Sequence, residues 1–152
     1  MADSYPTDAE LIFLRELGLR KIRFMVVGMA AAVMQGSDRS TDDIDLWFAS
    51  LADPGIDEAA RSAGGVFAWR ANPPMIAGKN LEHIDILRTC DGLRTFDREY
   101  DRALELEIFG VAVKVLPLER VIASKEACGR LKDKAAIPSL MATLVAIRKT
   151  ES

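Results

Sequence analysis

The chain has 152 residues, 49% of them hydrophobic and 28% charged, which gives room for one ordinary globular domain over residues 1–152 and too little for two. Its share of large aliphatic residues excludes global disorder. Twenty basic residues against 23 acidic ones leave a net charge of -3, so no broad electrostatic footprint for duplex DNA or an anionic membrane is expected, and any nucleic-acid partner has to be held locally.

Cys90 and Cys128 have no C-x-x-C spacing and the chain holds one histidine, which argues against a zinc site and against a secreted disulfide framework. A reducing, cytoplasmic setting follows as the expectation. Residues 1–6 show no basic stretch leading into an apolar one, and no apolar run approaches the length of a membrane span, so neither an export signal nor a spanning helix is predicted.

Thr7 or Asp8 is placed to cap a helix running to about Leu17, with Leu11, Leu14 and Leu17 three apart and Gly18 as its stop. Phe24, Met25, Val26 and Val27 make a continuous apolar run, the pattern of a strand buried on both faces. Gly28 ends it, a short helix over residues 30–35 follows, and Gly36 is its C-terminal cap. A polar loop over residues 37–42 leads to a second strand at residues 43–48. A helix over residues 54–63 and a strand at 66–69 come next; Asn72-Pro73-Pro74 and Gly78-Lys79-Asn80 mark residues 71–80 as a long loop. Residues 81–87 alternate as a half-buried strand does, and residues 104–108 and 111–116 read as a hairpin turning at Phe109-Gly110. A helix over residues 118–128 ends at Gly129, and a last helix is predicted over residues 135–148 with Pro138 in its first turn. The sum is an α+β domain: a mixed sheet of four to six strands with flanking helices in a core of about residues 20–116, then a C-terminal helical pair over about 117–148.

The chemistry concentrates between Met25 and Phe48. Asp43 and Asp45 are two apart on a predicted strand, so both carboxylates leave one face. Like charges there repel, and a strand has little intrinsic use for aspartate, so the pair costs stability unless a cation lies between them. Asp85 has the parity to join them if its strand is a neighbour, and three carboxylates can hold two hard cations about 3.5 to 4 Å apart, the arrangement for in-line phosphoryl transfer. An Asp-x-Asp pair alone also serves turns and solubility. The glycine 15 positions before Asp43, at a strand-to-helix turn suited to receiving phosphate, makes the ordered set more specific.

Val26-Val27-Gly28-Met29-Ala30, Gly36 and Arg39-Ser40-Thr41-Asp42-Asp43-Ile44-Asp45-Leu46 resemble the signature of minimal nucleotidyltransferases of the DNA-polymerase-β-like superfamily, particularly the branch with abortive-infection toxins. The likeness extends to residues 118–125 and 129–133 and so covers most of residues 20–145. It implies that Asp43, Asp45 and Asp85 are catalytic and bind metal, two Mg2+ or Mn2+ ions, and that Gly28 lies under the triphosphate of an NTP. Met29, Arg39, Thr41, Lys125 and Arg130 would stand near the nucleotide. Two positions depart from the pattern: Met29 replaces a Gly or Ser, adding bulk and no hydroxyl, and Ala136 replaces an acidic residue.

The remaining candidates have plainer readings. His83 can act as a base or hydrogen-bond structurally; Arg39 can meet a polyanion or pair with Asp38 or Asp42. Trp47, Phe48, Phe67 and Trp69 read as core, as do Cys90 and Cys128, and the six methionines as gap-fillers. The function implied is transfer of a nucleoside monophosphate from an NTP to a hydroxyl acceptor, which could be RNA, protein or a small molecule. The competing reading is a weakened nucleotidyltransferase fold serving as one half of a toxin–antitoxin pair. A metal-dependent glycosyltransferase would need a sugar-nucleotide domain for which there is no room. In either leading case a partner chain or a second copy would complete the specificity.

Overall fold

The computed structural model describes residues 5–151; residues 1–4, on which part of the predicted absence of an export signal rests, lie outside them. Among the described residues six helices and seven strands follow one another: α1 (Asp8–Leu19), β1 (Phe24–Val27), α2 (Gly28–Met34), β2 (Ile44–Phe48), α3 (Gly55–Ser62), β3 (Val66–Ala68), β4 (Met75–Ala77), β5 (Ile84–Leu87), α4 (Phe96–Asp101), β6 (Leu104–Ile108), β7 (Val111–Val115), α5 (Leu118–Cys128) and α6 (Leu131–Glu151). The strands form one mixed sheet in the order β3-β4-β5-β2-β1-β7-β6. The α+β class and the C-terminal helices agree with the sequence reading, while the strand count exceeds four to six.

The additional strand is β4, inside the stretch predicted as loop. Met75, Ile76 and Ala77 pair antiparallel with Ala68, Phe67 and Val66, and Met75 stands opposite Asp85. Three residues between Pro74 and Gly78 are too short to show a period, so the pairing is a tertiary effect. Three other expectations are corrected. Gly18 lies within α1, which continues to Leu19; Lys21, at φ 57, takes the left-handed position after it while the Ile22 N–H bonds the Leu17 carbonyl. The last helix starts at Leu131, which puts Pro138 inside it; Asp133 in its first turn gathers two cations and the favourable helix dipole and anchors that start. Trp69 is 60% exposed instead of core, with the Arg70 guanidinium 4.7 Å from its ring centre. Trp47, Phe48 and Phe67 are buried as expected.

β1 is buried at all four positions, which requires cover on both faces of the sheet. α1 and α3 pack together as one group of helices; α2 packs on α5, and α5 on α6. Phe109 and Gly110 turn the β6–β7 hairpin with φ of 47 and 83 degrees, the sign that a primed two-residue turn demands at both central positions. Gln35, at the end of α2, donates to the carbonyls of Ala31 and Leu116 and accepts the Leu118 N–H at 2.8 Å. One side chain thereby caps α5 and fixes that helix relative to α2 and the end of β7. Among the described residues no helix is long and apolar enough to cross a membrane.

Candidate active site

β2 and β5 are adjacent and parallel, and their register sets Asp45 directly beside Asp85. On neighbouring strands such partners leave the same face about 4.8 Å apart. Asp43, immediately before β2, has the same parity. All three line one cleft of about 470 Å³, together with Gly28, Lys125, Arg130 and Asp133. The convergence anticipated from the sequence is therefore present at the level of the strands.

Electrostatics in the cleft follow from that crowding. Asp45 is mostly buried, and burial followed by the charges of Asp85 and Asp43 pushes its carboxyl up to about 6, against a partial offset from Lys125. Asp85 is also raised, by burial and then by Asp43. The contact between the two carboxyls raises Asp45 and lowers Asp85, so Asp45 is the one that takes up a proton first. Asp43 is fixed through its backbone: its N–H donates to Thr41 Oγ1 at 3.2 Å and its carbonyl accepts from the Tyr5 hydroxyl at 3.2 Å.

Gly28 explains its own identity. Its φ is +64 degrees, and a Cβ there would come within 2.3 Å of Asp45 Oδ2. The backbone thus passes so close to the carboxylate that no side chain fits between them. Gly28→Ala is expected to lose at least about 1–2 kcal/mol of stability from the left-handed conformation alone and to drive the Asp45 carboxyl out of place. Urea denaturation measures the first effect, and a change in the Asp45 titration seen by NMR measures the second.

The opposite wall is basic. Lys125 Nζ lies 3.4 Å from Asp133 Oδ1, and Arg130 Nε donates to Asp133 Oδ2 at 2.6 Å. Asp133 is 1% exposed; Arg130, followed by burial's opposing pull and then Lys125, holds its carboxyl below the usual range. The sequence segments with the resemblance include Ser124, Lys132 and Asp133 without giving them a role, and Asp91 was missed; all four line the cleft. The available signal was the Arg130–Asp133 spacing of three, a helical ion-pair distance.

Other predicted residues fall outside the cleft lining. Met29 is half-buried and packs against the hydrophobic core, so its bulk does not fill the cleft. Thr41 supports Asp43 from the loop, and Arg39 is exposed on that loop, paired with neither Asp38 nor Asp42. His83 is structural: its ring Nδ1 and its backbone N–H both meet the carboxylate of Glu10 at 2.8 Å. Cys90 packs against the core as expected and also lines the cleft, whereas Cys128 lines the cleft only; both are half-buried, with thiols pushed up by burial, Cys90 to about 12. They rest as neutral thiols.

An all-oxygen set of three carboxylates suits a hard divalent cation in its chemistry. The side chains are not closed into a cage, since among the described residues no group of three or more His, Cys, Asp or Glu is arranged to hold a metal ion. The fit lies in the donor type and in the mutual repulsion that a cation would relieve. Neither a protein-family model nor a curated protein matches the chain, so the function has to be read from the cleft itself.

Proposed function

We propose that the chain is a nucleotidyltransferase that moves a nucleoside monophosphate from an NTP to a hydroxyl acceptor. The observation that carries this reading is the in-register pair Asp45 and Asp85, with Asp43, facing Lys125 and Arg130 across one cleft. Asp43, Asp45 and Asp85 would hold two magnesium ions, whose Lewis acidity lowers the cost of charge on the entering and leaving oxygens of an in-line displacement. A cation held there would relieve the repulsion that raises the Asp45 carboxyl. Lys125 and Arg130 meet the negative charge of the triphosphate, and Gly28 keeps the backbone clear of Asp45.

Transfer of labelled NMP is expected from the wild type in the presence of Mg2+, and at least about a thousandfold less from Asp43→Asn/Asp45→Asn, as removal of both metal-directed charges requires. Equal rates in the two proteins would sink the proposal. The second reading, a weakened fold that acts as a toxin–antitoxin component, is favoured by one observation: Asp133 already engages both Lys125 and Arg130. Calorimetry with NTP and Mg2+ separates the two, because tight binding contradicts the weakened fold.

A further inference from the structure

Beside the cleft, across the loop that joins β5 to α4, lies a second cavity of about 400 Å³ lined by Arg94, Arg98, Arg102 and Arg120 with Glu99 and Asp101. Four guanidinium groups against two carboxylates make it positive in a chain whose net charge is -3. Arg98 lies in α4, Arg102 is its C-terminal cap and Arg94 precedes its Thr95 N-cap, so the three flank one six-residue helix.

The arginines differ sharply in what they touch. Arg120 is fixed: its Nε and second terminal nitrogen donate to the two oxygens of Glu99 at 3.0 and 2.7 Å, and Glu99 is 2% exposed. Glu99 also accepts the Arg94 N–H at 2.9 Å, which ties the loop to α4. By contrast the guanidinium groups of Arg94 and Arg98 are exposed and have no hydrogen-bond or ion-pair partner among the described residues, and Arg102 acts on Glu99 only through space. Elsewhere in the fold Arg20, Arg23, Arg61, Arg130 and Arg148 each meet a carboxylate, while Arg39 and Arg88 meet none among the described residues. Three unpaired arginines held around one concavity by a buried anchor repel one another and await an anion.

We propose that this cluster binds the phosphate backbone of a single-stranded polynucleotide. Guanidinium forks match phosphate oxygens in pairs, and three of them with no carboxylate partner around one concavity can meet more than one phosphate of a strand. The overall negative charge excludes a broad duplex footprint, so the contact is short and confined to one strand. Location supplies the rest: Arg120 precedes Ser124 of the cleft by one turn of α5, about 6 Å along the axis, and Arg94 follows Asp91 of the cleft by three residues. A strand anchored on the arginines can therefore reach Asp43, Asp45 and Asp85 with its terminal hydroxyl; this use as the acceptor's anchor rests on the transferase reading, whereas binding itself does not.

Fluorescence anisotropy of the full chain, without NTP or metal, tests the site with a labelled oligoribonucleotide, the oligodeoxyribonucleotide of the same sequence, and a polyglutamate of matched charge. At least one oligonucleotide is expected to bind, with log affinity falling by about 0.7 per phosphate contact against log salt. Arg94→Ala/Arg98→Ala is expected to bind at least tenfold more weakly and to flatten that slope by about 1.4. Both side chains are exposed and unbonded, so this variant keeps the fold; Arg120 is left intact because it holds Glu99. The two oligonucleotides decide between RNA and DNA. No oligonucleotide binding, equal affinity of the variant, or polyglutamate bound as tightly overturns the proposal. Asp43→Asn/Asp45→Asn is expected to bind the oligonucleotide no less tightly than the wild type while losing transfer, so failure of the arginine site and failure of the transferase reading register in different assays.

Discussion

Replacing Glu10 by alanine is expected to destabilise the protein by about 3–5 kcal/mol, the largest effect of any single substitution considered. The Glu10 side chain is fully buried and its two oxygens accept three contacts at 2.8 Å: the Thr7 N–H in the first turn of α1, the His83 N–H and the His83 ring. Alanine would leave two backbone donors and an imidazole without their acceptor and open a void beside them. Against a total stability of roughly 5–15 kcal/mol, the melting temperature should fall by on the order of 10 °C. The consequence reaches the cleft, because the His83 carbonyl accepts the Ile44 N–H at 2.7 Å and so starts the β2–β5 register that sets Asp45 beside Asp85. The Glu10 hydrogen bond raises the His83 pKa above its ordinary 6.5, so this pair stabilises the fold fully below that value and loses its contribution as the pH rises through the folded pKa. Glu10→Gln should remove that slope above about pH 6.5 and cost less than alanine. Thermal melts across about pH 5 to 9 check both, and a loss under about 1 kcal/mol for Glu10→Ala would contradict the account.

Glu10 also shows where legibility in the sequence ends. Its place in a capping box was readable from Thr7 three residues before it, and the box is present. That its second oxygen would hold a histidine 73 residues away was not, because a long-range partner leaves no local period. The same division runs through the fold. β1, β2, β5 and the Phe109-Gly110 hairpin were legible because burial and turn geometry write themselves into apolar runs and short dipeptides. β4 and α4 were not: three and six residues cannot carry a period, and tertiary pairing or the Thr95 cap sustains them. At the site, the side-by-side arrangement of Asp45 and Asp85 followed from strand parity plus one assumption, that the two strands are neighbours. Asp133 escaped notice because its meaning depends on two helices, α5 and α6, meeting at Lys125. The arginine cluster escaped because Arg94, Arg98 and Arg102 look like ordinary solvated charge until the absence of partners around them is seen.

Asp45→Asn is expected to stabilise the protein at about pH 8 by about 1–2 kcal/mol while weakening its response to divalent cations. The sign follows from the raised carboxyl. A folded value of about 6 against an unfolded one near 3.9 means that the folded chain disfavours the charged form; the shift corresponds to about 3 kcal/mol before the open cleft's solvent screens it. The stability attached to the protonated group is complete below about pH 3.9 and is lost as the pH rises through about 6. Asparagine keeps the shape and the capacity to donate to Asp85, and it never ionises. The variant's advantage should therefore be near zero at about pH 4 and grow to its full size above about pH 7. Mg2+ should act more strongly on the wild type than on the variant. In the wild type a cation offsets the repulsion among the ionised carboxylates and stabilises the fold, by about 2.7 kcal/mol at roughly a hundredfold excess over its dissociation constant; in the Asp45→Asn variant the donor set has lost a charge and the gain shrinks. A variant that is more stable without cation and less responsive to it is the pattern of a carboxylate kept for binding at the expense of the fold. If Asp45→Asn instead destabilised the chain at about pH 8, Asp45 would be serving the fold, and the cleft would lose its claim to a cation.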